Sequence, residues 1–129
     1  MREFMLYIQN ASDAKEKLTP EEHLTFIKKC QIYINELKES GSLIAAQPLI
    51  REGVIISKDD NKWKQLNLSN DKETQVGYYH ILAKNIDDAI IIAKSNPEFE
   101  YVPSAKIEIR PVKVKEQETN FVYPTKNSH

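Results

Sequence analysis

The chain has 129 residues, 40% of them apolar and 29% charged, with 18 basic side chains set against 19 acidic ones. A chain of this length supports one core, burying roughly two thirds of the surface its unfolded form would expose, and the balance of residue types is that of an ordinary globule rather than a disordered or membrane-spanning chain. The near-cancelling charge provides no broad positive field to gather phosphates, which argues against nucleic-acid binding.

Residues 4–9 alternate, with Phe4, Leu6 and Ile8 on one face and Met5, Tyr7 and Gln9 on the other, so they read as a central strand with apolar groups on both sides. A polar stretch follows. Thr19-Pro20-Glu21-Glu22 then supplies a capping threonine, a first-turn proline and a glutamate placed to close a capping box, which marks a helix start. Ile27, Cys30, Ile34 and Leu37 recur at helical spacing and predict a buried stripe, with Lys28, Lys29, Glu36 and Lys38 toward solvent. Gly41 is placed to stop the helix in the left-handed conformation.

Residues 43–50 and 54–57 are short β-prone runs, and the polar turn 58–62 precedes another run at 63–68, so the middle of the chain reads as one strand followed by an inserted hairpin. After a polar loop at 69–75, residues 77–83 again place apolar bulk on both faces of a strand. Asn85 can cap a second helix whose Ile86, Ala89, Ile90 and Ala93 share a face and which ends at Asn96-Pro97, although Ile90-Ile91-Ile92 would suit a strand equally well. Ala105, Ile107 and Ile109 alternate with Lys106, Glu108 and Arg110 in a half-exposed last strand. The domain is therefore assigned to residues 1–112 and a tail to 113–129. In that tail Phe121 and Tyr123 are expected to anchor on the core or on a second copy, with residues 124–129 mobile.

Strand, helix, strand, hairpin, strand, helix, strand is the order of a ferredoxin-like α+β sandwich, with both helices on one face of an antiparallel sheet. The two-sided apolar strands then leave Met5, Tyr7 and alternate residues of 78–82 on the other face, for which a second copy of the chain is the simplest cover. Cys30 is the only cysteine, which excludes an intramolecular disulfide and a thiol-ligated zinc site, and it points to a cytoplasmic setting. The N-terminal apolar stretch is too short for a secretion signal, and no run approaches the length of a membrane helix. No nucleophile motif, phosphate-cradling glycine loop or metal-ligand pattern occurs, so no cofactor or metal is expected.

Gly77-Tyr78-Tyr79, Asn85-Ile86-Asp87-Asp88-Ala89 and Ile107-Glu108-Ile109-Arg110-Pro111-Val112, in that order, resemble the spaced elements of the YCII-related (DGPF-type) family. The Met-Leu-Tyr-Ile strand, the Pro-Glu-Glu helix start and the Gly41 stop agree, and the resemblance covers residues 3–112. The Asp-Gly-Pro-Phe loop that names one branch is absent, and residues 68–74 stand in its place. The resemblance implies a dimeric α/β-barrel in which a histidine and an acidic residue form the candidate acid-base pair. His23 stands where simple members tend to carry the histidine, but Asn96 stands where they tend to have aspartate, and an amide cannot stabilise imidazolium as a carboxylate does.

Four further residues are candidates for lining a cleft. Tyr7 and Tyr79 could contribute rings and hydroxyl groups or simply fill the core, His80 could face a dimer cavity or sit hydrogen-bonded in the core, and Asn96 closes the second helix. Two functions fit: a module that holds a small, partly apolar molecule in a cleft, or a cofactor-independent lyase or isomerase that uses His23 as its acid-base group.

Overall fold

The computed structural model describes residues 1–11, 16–68 and 72–124. Residues 69–71 of the expected polar loop and 125–129 of the expected mobile end lie outside the described residues, while Thr74 and Gln75, expected in that loop, already belong to a strand. In chain order the elements are β1 (Arg2–Asn10), α1 (Pro20–Glu39), β2 (Leu43–Pro48), β3 (Val54–Asp59), β4 (Lys62–Asn67), β5 (Thr74–Ala83), α2 (Ile86–Lys94), α3 (Glu98–Tyr101) and β6 (Lys106–Pro111). The main sheet has the order β2-β5-β1-β6 with every pair antiparallel, so β1 and β5 hold the centre. The architecture is α+β and compatible with a ferredoxin-like fold.

Local chemistry sets the helix ends. The Thr19 side chain accepts the Glu22 N–H at 3.1 Å while the Glu22 carboxylate accepts the Thr19 N–H at 3.0 Å, closing the capping box. At the other end Gly41 adopts φ +76°, and the Gly41 and Ser42 N–H groups donate to the Lys38 and Leu37 carbonyls, satisfying groups the helix leaves open. Asn85 caps α2 by accepting the Asp88 N–H at 2.9 Å, and the isoleucine triplet is helical. The cap and the buried alanine face decide what the triplet leaves ambiguous.

Phe4, Leu6 and Ile8 of β1 and Tyr79, Ile81 and Ala83 of β5 are buried in one cluster with Tyr33 and Leu37 of α1 and Ala89 and Ala93 of α2, so both helices cover the same sheet face. Full burial of a Phe4 or Leu6 side chain is worth about 1.5–3 kcal/mol. The Tyr33 hydroxyl ties the helices together by donating to the Ile92 carbonyl at 2.6 Å. The stripe of α1 differs from the one read from spacing: Phe26, Tyr33 and Leu37 are buried, Cys30 and Ile34 are half-buried, and Ile27 is exposed. Cys30, Ile34 and Leu37 of the expected stripe do turn to the sheet side, and only Ile27 gives way, to Phe26, whose larger ring removes more apolar surface from water.

Two regions stand off the core. β3 and β4 pair around Asp60 and Asn61, both at positive φ as a tight hairpin turn demands, yet every residue of the two strands is exposed. Beyond β6 the chain folds back on itself, with the Tyr123 N–H donating to the Val114 carbonyl and the Glu116 N–H to the Phe121 carbonyl. Phe121 and Tyr123 stack edge-on at 5.2 Å and stay exposed, so within the chain they pack on each other and not on the core.

Candidate functional site

Between α1 and the sheet lies a cavity of about 150 Å³. Alternation along β1 turns Ile8 toward it, and the helical period brings Phe26, Cys30 and Ile34 of α1 over it. In β5 the register against β1 slips, with Ile8 opposite Gly77 but Gln9 opposite Gln75, and the extra residue Val76 turns inward beside Tyr79. The Tyr79 ring meets Tyr33 edge-on at 5.5 Å, and burial, helped by nearby Cys30, Tyr33 and Glu98, pushes its hydroxyl pKa well above the ordinary value.

One end of this apolar space is polar. Asn96 and Glu98, which follow α2 and open α3, both line the cavity and are 4% and 5% exposed. The Glu98 backbone N–H donates to Asn96 Oδ1 at 2.8 Å, which fixes the amide orientation because only the oxygen can accept. Asn96 Nδ2 is left buried without a hydrogen-bond partner among the described residues. Behind Glu98 sits Asn10, fully buried, whose Nδ2 donates to Glu98 Oε1 at 2.6 Å. Asn10 in turn accepts from Arg51 Nη2 through both its side-chain oxygen and, at 3.1 Å, its carbonyl. Arg51, Asn10 and Glu98 thus form a hydrogen-bonded line in which a cation and a carboxylate are joined through one amide.

Of the residues singled out from sequence, Tyr79 and Asn96 meet at this cavity. Tyr7 and His80 lie on the opposite sheet face, where His80 Nε2 is 2.7 Å from Glu3 Oε1 in a half-buried pair. His23 is exposed on the first turn of α1 and is not among the residues lining the cavity. Asn10, Arg51 and Glu98 were not signalled: Asn10 continues the inward alternation of Phe4, Leu6 and Ile8, but nothing local marks the Arg51 and Glu98 that complete the line. Among the described residues no group of three or more His, Cys, Asp or Glu could hold a metal ion, and no helix is long and apolar enough to cross a membrane. No family model matches the chain, and no curated protein matches it.

Proposed function

We propose that the chain is a YCII-like, ferredoxin-like domain that holds a small, largely apolar molecule between α1 and the sheet, and that two copies associate through the sheet face away from the helices. The observation that carries the ligand reading is the cavity itself. The cavity opens past the exposed Gln47 and Pro48, and a ligand lodged in it would take its wetted apolar wall out of water. Its size suits a molecule of roughly benzene's bulk. The order of sequence motifs supports the family likeness and the dimer, and the single cysteine supports a cytoplasmic setting.

Titrating the protein with benzene while following the methyl resonances of Ile8, Ile34 and Val76 tests the ligand reading. Saturable shifts confined to those methyls are expected, and they should vanish in Cys30→Met, which fills the space with a flexible side chain. Methyl resonances unmoved by benzene up to its solubility would overturn the reading.

A further inference from the structure

Resting on the proposal that two copies associate through the open sheet face, we infer that the β3–β4 hairpin is an arm that each copy lays against the other. Every residue of β3 and β4 is exposed, and Val54, Ile55, Ile56, Trp63 and Leu66 are 51–71% exposed. The register puts Val54, Ile56 and Trp63 on one face of the hairpin and the directly opposed Ile55 and Leu66 on the other, so both faces carry apolar groups. Among the described residues no other element packs substantially on either strand. A two-stranded hairpin standing alone in water is marginally stable at best, and one that is apolar on both sides needs cover.

The place of the arm in the fold points to a second copy as that cover. The Leu49 N–H donates to the Val76 carbonyl at 2.8 Å and the Leu68 N–H to the Gly53 carbonyl at 3.0 Å, so the hairpin stems from the ends of the paired strands β2 and β5. Tyr78, His80 and Leu82 of β5 lie on the open face, so the arm leaves the body from a strand that builds the proposed contact. In plan, four strands about 20 Å long cover roughly 400 Å², about half of the ~800 Å² that each partner in a stable complex contributes. Two faces of a two-stranded arm of similar length supply roughly the other 400 Å². The charges of the arm disfavour other surfaces. Lys58, Lys62 and Lys64 are offset by Asp59 and Asp60 at its turn, with Lys64 paired to Asp59 at 3.2 Å, which leaves little field to draw in an anionic lipid surface or a nucleic acid. Trp63 has the character of an interface anchor.

Trp63 is the only tryptophan, so the fluorescence of the full chain reports on the arm without a label. Where sedimentation shows the dimer, its emission is expected to be blue-shifted and its quenching by acrylamide severalfold weaker than after dilution to the monomer. Ile56→Asp should weaken the dimer by about tenfold or more, the loss of an interface anchor. It should leave the unfolding midpoint of the monomer in place, because Ile56 is 65% exposed there. A dimer in which Trp63 is quenched as freely as in the monomer would overturn the arm inference while leaving the dimer reading intact, as would a dimer whose affinity Ile56→Asp does not change. Shielding of Trp63 that persists undiminished in the monomer would overturn it too, by showing that the cover comes from the same chain. A protein that is monomeric at every concentration would remove the dimer reading and this inference together. Fluorescence of the unaltered protein decides the matter even if Ile56→Asp does not fold.

Discussion

Single side chains in this protein act at the junction between packing and chemistry, and the tyrosines show it. Tyr33 and Tyr79 meet edge-on in the core, and burial raises both hydroxyl pKa values above the ordinary 10.0. A raised pKa means that the folded state keeps a proton the unfolded chain releases, so this contribution to stability is complete below pH of about 10 and is lost as pH climbs beyond it. Alkaline titration is therefore expected to unfold the protein, with tyrosinate absorbance of the buried pair rising together with loss of far-ultraviolet ellipticity. Full ionisation of all the tyrosines with the fold intact would contradict this. The paired double variant Tyr33→Phe and Tyr79→Phe should flatten the alkaline limb, although loss of the Tyr33 bond to the Ile92 carbonyl lowers its stability at neutral pH.

At the scale of elements, β5 passes close to β2 at Gly77. A Cβ added at Gly77 would lie 3.0 Å from the Gln47 carbonyl oxygen and 3.4 Å from Pro48 Cα, so a side chain there presses on the β2 backbone, which must give by a few tenths of an ångström to admit it. Gln47 and Pro48 also line the cavity, so displacing this edge alters the site. Gly77→Ala is expected to cost about 1–3 kcal/mol, the usual range for overpacking, and to weaken benzene binding in parallel. Denaturant unfolding checks it, and a midpoint unchanged from the parent would show that β2 yields freely. The β3–β4 hairpin contrasts with this: Trp63, 71% exposed with Lys58 over its ring, belongs to an element that the core does not bury.

For the whole molecule, the arrangement of four antiparallel strands under two helices leaves one broad face unpaired with any helix. Met5, Tyr7, Tyr78 and Leu82 are half-buried there, with His80 and Glu3 paired among them. An apolar sheet face with a satisfied polar pair suits an isologous contact between copies, in which each patch meets itself. Sedimentation at micromolar concentration is expected to return a dimer. Met5→Glu, which sits opposite Arg110 in the sheet and so has a counter-charge at hand, should give a folded monomer. A monomeric parent protein, or a dimer indifferent to Met5→Glu, would place any association elsewhere.

What the sequence determined by itself is what short-range forces decide. The capping box at Thr19 and Glu22, the left-handed stop at Gly41, the Asn85 cap and the two-sided alternation of the central strands all rest on hydrogen bonds and sterics within a few residues, and each is legible in the chain. Tertiary structure alone decided between Phe26 and Ile27 in the stripe of α1, since both fit the helical period and only contact with the sheet side favours the ring. It also made the candidate site. Asn10 and Glu98 are 88 residues apart and Arg51 and Asn10 are 41 apart, so no local pattern could announce the line they form. Asn96 was legible as a helix end, but its buried, unpartnered nitrogen exists only because α2, α3 and β1 close around it, and burial is a property of the packed molecule rather than of the residue.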